Sequence, residues 1–203
     1  MPRLLRVGLT GGLASGKSVV GRELERLGCL RIDADALGHQ VLLPDGEAFG
    51  SVVAEFGAGI LDESGKIDRK QLGAIVFDAP DRLAKLSAIV HPAVRRLADA
   101  KIAKIPRGIL IYEAAILVET GGYKDFDRLI VAACPEDLQI ERAMARDGSS
   151  RESVLARLRR QAPLAEKVRH AHYVIDTSGT LEHTLEQTRN VYQSLLVYGE
   201  NLS

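Results

Sequence analysis

The chain has 203 residues, 46% of them apolar and 27% charged, which excludes the low-hydrophobicity composition of a disordered protein and is enough to bury a sizeable core. Its 27 Lys and Arg balance 27 Asp and Glu, so the broad positive footprint of a general nucleic-acid binder or a polybasic membrane binder is missing. Cys29 and Cys134 form no CxxC pair, which disfavours a disulfide framework or a cysteine-rich zinc site and fits a reducing compartment. The N-terminal apolar run is too short and interrupted for a signal peptide, and no apolar stretch approaches the ~20 residues of a bilayer span. A soluble, cytoplasmic globular protein of one domain is expected, with room for a lobe grown out of it.

In chain order, Leu4 to Thr10 reads as a first strand, followed by a glycine-rich turn and a helix from about Lys17 to Leu27. Val20, Leu24 and Leu27 fall at i, i+4 and i+7 and make one apolar face. Gly28 stops that helix. Cys29 to Ile32 reads as a second strand that ends at Asp33 and Asp35. From Phe49 to about Ile105 the rhythm breaks into glycine turns (Gly57, Gly59, Gly65) and a helical stretch carrying Leu83, Leu86, Ile89, Val90, Val94 and Leu97. This is a helical insertion or side lobe, and Pro92 inside it predicts a kink or a helix start. Ile109 to Tyr112 runs into Glu113, Arg128 to Ala133 into Cys134-Pro135, and Tyr173 to Ile175 into Asp176-Thr177. Five apolar runs separated by helical patterns predict an α/β fold with a parallel sheet covered on both faces, whose ligands sit beyond the carboxyl ends of the strands. Residues 139–161 concentrate six arginines (142, 146, 151, 157, 159 and 160) against three acids, a local net charge of +3 in a neutral chain.

Gly11-Gly12-Leu13-Ala14-Ser15-Gly16-Lys17-Ser18 matches GxxxxGK[ST] in full, directly after a strand and directly before an amphipathic helix. A polyphosphate needs several inward N–H groups, and only residues with little side chain let a loop wrap that closely. Unpaired amides and the positive end of the helix add to the attraction. Lys17 then reaches the β- and γ-phosphates, and the Ser18 hydroxyl enters the Mg²⁺ shell. Asn occurs only at 190 and 201, so the NKxD segment of a guanine switch is missing. Asp62-Glu63-Ser64-Gly65 spells DxxG, but no strand precedes it and an acidic surface turn is the plainer reading.

For a kinase, a base must take the acceptor's proton and cations must cover the transferring phosphoryl group. Asp33 is the candidate base. Asp35 either orients a metal-bound water or the substrate, or caps the next helix. Glu113 stands where a Walker B carboxylate acts on the Mg²⁺ shell through water, with a solvated strand end as the alternative. Arg142 and Arg146 share a helix face and suit a phosphate-clamping lid, with a solvated face as the alternative. A histidine at the His91-Pro92 step suits contact with an acceptor phosphate, or a packed or capping role. His170 and His172 lack a third ligand for zinc.

At this point the chain resembles the dephospho-CoA kinase family. The likeness lies in residues 7 to 18, Ile32-Asp33-Ala34-Asp35, His91-Pro92, Gln139-x-x-Arg142-x-x-x-Arg146-Asp147, Arg160-Gln161-x-Pro163 with Lys167, and Val174-Ile175-Asp176-x-Ser178-Gly179. The resemblance implies a P-loop NTPase core (about 1–48, 106–138 and 162–203), a helical acceptor-binding lobe (about 49–105) and a lid (about 139–161). It implies ATP and dephospho-CoA as substrates, Mg²⁺ accompanying ATP, and transfer of the γ-phosphate to the ribose 3′-hydroxyl. Asp33 is then the base, Arg142 the lid arginine with Arg146 a second candidate, and Thr177 and Ser178 lie near the adenine. A kinase of another small acceptor, or a nucleotide-binding module without one, is the alternative. The family's third-strand Asp-x-Pro-Leu-Leu-Phe-Glu reads here Glu113-Ala114-Ala115-Ile116-Leu117-Val118-Glu119, its Ala-Asp before the last strand is Ala171-His172, and its Asn after that strand is Thr177.

Overall fold

The computed structural model describes residues 3–77 and 79–201. Its strands are β1 (Leu4–Gly11), β2 (Leu30–Asp33), β3 (Gly108–Glu113), β4 (Arg128–Ala133) and β5 (Tyr173–Asp176). They form one parallel sheet in the order β2-β3-β1-β4-β5. The interior strands read as near-continuous apolar runs because both their faces are covered, as a doubly wound sheet requires. Register puts Asp33 opposite Glu113 and Gly11 opposite Ala132, so the carboxylates and the glycine turn share one end of the sheet.

On one face, α1 (Lys17–Arg26) and a C-terminal helix (Leu181–Glu200) pack against Leu5, Val7, Leu9, Ile109, Ile111, Ile130 and Ile175. On the other, Gly8 leaves room for Leu117, Phe126 and Leu129, and a short helix (Leu164–Arg169) lies against β1 and β4. The predicted face of α1 is the packed one, with Val20 and Leu24 fully buried. Cys29 and Cys134 are buried and unpaired, and burial pushes the Cys29 thiol up to about 12.

The chain divides into two compact units, one of residues up to 33 and from 105 onward, the other of residues 34–104. The second holds α2 (Ala34–Gln40), α3 (Phe49–Phe56), α4 (Arg69–Phe77) and α5 (Pro80–Ile102). Pro80 opens α5, where a missing N–H costs nothing. No helix starts at Pro92: α5 runs through it for 23 residues, with buried Ala93, Val94 and Ala98 anchoring the following turns. Asp62 Oδ1 accepts from the amides of Ser64 and Lys66 at 2.9 and 3.0 Å, so the DxxG segment is a closed acidic turn.

In chain order the remaining helices of the first unit are α6 (Glu136–Asp147), α7 (Arg151–Leu158), α8 (Leu164–Arg169) and α9 (Leu181–Glu200). Glu23 ties α1 to α9. Its carboxylate, 5% exposed, accepts from Arg26 at 2.7 and 2.8 Å and from Arg189 at 3.0 Å. The hydrogen bonds from Arg26 lead in lowering its pKa to about 2, against burial, which raises it. A carboxyl lowered on folding stabilises above its unfolded value, 4.5, and loses that contribution as pH falls toward 2. Glu23→Gln is therefore expected to cost about 2 kcal/mol at pH 7. Denaturant melts should show the gap to the native chain closing between pH 4.5 and 2.

Candidate active site

The glycine-rich loop leaves β1 at Gly11 and enters α1 at Lys17. Gly16 caps α1 at φ +83°, a left-handed conformation that favours glycine, and Ala14 also has positive φ, +52°. Left-handed residues at 14 and 16 are the kind of backbone geometry from which anion-binding nests are built. The packing is as demanding as the backbone. A Cβ on Gly11 would lie 2.6 Å from the carbonyl of Ala132, one on Gly12 would overlap Gln139 Oε1, and one on Gly16 would sit 3.2 Å from Thr177 Cβ. Lys17, 9% exposed, donates from Nζ to the Gly12 carbonyl at 3.1 Å. Ser15 Oγ is buried with no hydrogen-bond partner, a polar atom left for a ligand in a cradle too tight for side chains.

A chain of contacts joins the start of α1 to the ends of β3 and β2. Ser18 Oγ donates to Glu113 Oε1 at 2.8 Å, and Glu113 is 2% exposed. Arg31 Nε donates to Glu113 Oε2 at 2.8 Å, and Arg31 NH2 reaches Asp33 Oδ2 at 3.1 Å. Ser18, Glu113 and Asp33 thus stand together. Sequence reasoning missed Arg31; its one signal was a basic side chain two positions before Asp33 in an otherwise apolar strand.

On the β5 side, Thr177 Oγ1 lies 2.7 Å from the Ser15 carbonyl and 2.9 Å from that of Ala133, so its single proton is shared between them. Arg142 NH2 donates to the Thr177 carbonyl at 2.8 Å. The Ser178 amide donates to Asp176 Oδ1 at 2.8 Å. Arg146, on the same helix, is exposed and grips Asp147, as does Arg157. Hydrogen bonds from Arg146 first, then from Arg157, hold the Asp147 carboxyl well below the usual carboxylate range. Gln161 Oε1 accepts from the Leu13 amide at 2.8 Å, a direct tie between the segment after α7 and the loop. A cavity of about 430 Å³ lies beside it, lined among others by Gly12, Gln139, Leu158 and Lys167. Within the second unit, Asp35 is exposed in the first turn of α2 and His91 is exposed on α5.

The family model for dephospho-CoA kinase matches residues 5–183. The chain belongs to the dephospho-CoA kinase family. Dephospho-CoA kinase from Geobacter sulfurreducens is 44% identical over 187 residues, which are 89% of this chain and 95% of that one. The Aquifex aeolicus enzyme of the same name is 43% identical over 195 residues, covering 94% and 97%. A crystal structure of TT1252 from Thermus thermophilus superposes with a TM-score of 0.82 at 33% identity, covering 96% of this chain and 98% of that one. No helix among the described residues is long and apolar enough to cross a membrane.

Gly16→Ala tests the nest. The side chain meets both the left-handed backbone and Thr177, so strain of about 1–3 kcal/mol is expected. Calorimetry should show weaker binding of a triphosphate analogue, and thermal melting a lower midpoint.

Proposed function

We propose that this member of the dephospho-CoA kinase family transfers the γ-phosphate of ATP to the ribose 3′-hydroxyl of dephospho-CoA, giving CoA and ADP. One observation carries the reading: an anion-binding nest at the end of β1 lies one hydrogen-bonded relay, Ser18–Glu113–Arg31, from the carboxylate of Asp33.

In the transfer, the loop of residues 11–18, through amides other than that of Leu13, which Gln161 holds, and the Lys17 ammonium bind the β- and γ-phosphates. Asp33 accepts the proton of the 3′-hydroxyl as its oxygen bonds to the γ-phosphorus and the bond to the ADP oxygen breaks. Arg142 and Arg146 on α6 cover charge on the phosphates as the lid closes. Thr177 and Ser178 hold the adenine end, and Asp35 and His91 bind the acceptor. Positioning and fixed charge supply most of the rate, since this reaction asks little covalent chemistry of the protein.

The residues fit a magnesium ion carried in on ATP. Ser18 Oγ donates its hydrogen bond to Glu113, which leaves its lone pairs to face the cation, while the Glu113 carboxylate would hold a metal-bound water. Bound with ATP, Mg²⁺ would supply positive charge against the charge that develops on the phosphates. The enzyme is taken to work in the cytoplasm, where thiols such as Cys29 and Cys134 stay reduced.

A coupled assay of ADP release tests this. Turnover is expected only when Mg·ATP and dephospho-CoA are both present, and its absence rejects the reading. Asp33→Asn should lower kcat by roughly 10²–10⁴-fold with KM for ATP nearly unchanged. Lys17→Ala should damage both parameters.

A further inference from the structure

We infer that Arg31 is a positioning residue for phosphoryl transfer, tying the carboxylate that ends β2 to the one that ends β3 and fixing which oxygen of each faces the loop. The inference deepens the proposed function and rests on it. Arg31 Nε and NH2 both reach Glu113 Oε2, at 2.8 and 2.7 Å, and NH2 also reaches Asp33 Oδ2 at 3.1 Å. Arg31 NH1 lies 3.8 Å from Glu25 Oε2 on α1, so a third carboxylate faces the guanidinium. The Arg31 side chain is 15% exposed and that of Glu113 2%.

The consequence is a division of labour within one carboxylate. With Oε2 held by the guanidinium, Glu113 turns Oε1 to Ser18, the side on which the cation accompanying ATP is proposed to sit. A buried carboxylate without such a partner would be costly and free to rotate. Arginine suits the task because its planar fork spans two acceptors, whereas an ammonium is a single point charge.

Gly21 on α1 completes the arrangement. A Cβ there would stand 2.6 Å from Glu113 Oε2 and 2.7 Å from Arg31 Nε, so only glycine lets the pair lie against the helix. Helical glycine is otherwise unfavourable relative to alanine. The geometry accepts a poor helix former where the pair needs the space.

The test compares Arg31→Met, Arg31→Lys and Gly21→Ala with the native full-length chain. It follows kcat, KM for ATP and for dephospho-CoA, thermal melting, and calorimetric affinity for a non-hydrolysable ATP analogue with and without Mg²⁺. A positioning role predicts that Arg31→Met lowers kcat by about tenfold or more, with KM for ATP within about threefold. The gain in analogue affinity conferred by Mg²⁺ should shrink, while metal-free affinity stays native. Arg31→Lys should restore melting but only part of kcat. Gly21→Ala should lose several-fold in kcat and melt somewhat lower than the native chain, because its methyl separates a buried pair. Native kcat and a native Mg²⁺ gain in a folded Arg31→Met or Gly21→Ala variant would overturn the inference, as would full recovery of kcat by lysine. Should Arg31→Met fail to fold, the lysine and Gly21 variants decide by the same criteria. A native chain that does not turn over dephospho-CoA would reject the proposed function instead, and the calorimetric comparison would still judge Arg31.

Discussion

Close approach of bare main chain governs this molecule. The loop between β1 and α1 runs against the end of β4, Gln139 of α6 and Thr177 after β5 at distances that leave no room for a Cβ at Gly11 or Gly12 and little at Gly16. Thr177 clamps it from the far side through two carbonyls, one of the loop and one of β4. Gln161 adds a third tie at the Leu13 amide. A loop held this way offers amides already oriented toward an anion, so little ordering remains when a polyphosphate arrives.

The rest of the site follows from sheet register. Parallel pairing brings Asp33 beside Glu113 at adjacent strand ends, and a parallel sheet gathers all such ends at one edge. Two adjacent acidic side chains there would repel unless a cation stood between them. Arg31 supplies it from within the same strand as Asp33. Cleft chemistry and core architecture are thus coupled: the helix whose start makes the nest also carries Gly21, against which the charge pair rests, and Glu23, which locks that helix to α9.

The reach of sequence reasoning had physical limits. All five strands were legible to within a residue or two at each end, the three interior ones because strands buried on both faces must be apolar runs bounded by breakers. The glycine-rich loop was legible because close main-chain packing and left-handed backbone permit few substitutes for glycine. Arg31 was not, since its meaning depends on Glu113, 82 positions away, and on a missing side chain at Gly21. Arg142 and Arg146 were readable as sharing a helix, but not that one docks on the Thr177 carbonyl while the other grips Asp147. Helix periodicity says which side chains are neighbours, not what each meets across the fold. Pro92 read as a break because its local cost is plain in sequence, while the packing of the turns beyond it is not.

A crystal structure with dephospho-CoA and a Mg²⁺-bound, non-hydrolysable ATP analogue examines the central claim most directly. The account predicts the triphosphate tail wrapped by residues 11–18, and the ribose 3′-oxygen within ~3 Å of an Asp33 carboxylate oxygen and in line with the γ-phosphorus. A triphosphate seated elsewhere, or a 3′-oxygen turned away from Asp33 in that ternary complex, would contradict it.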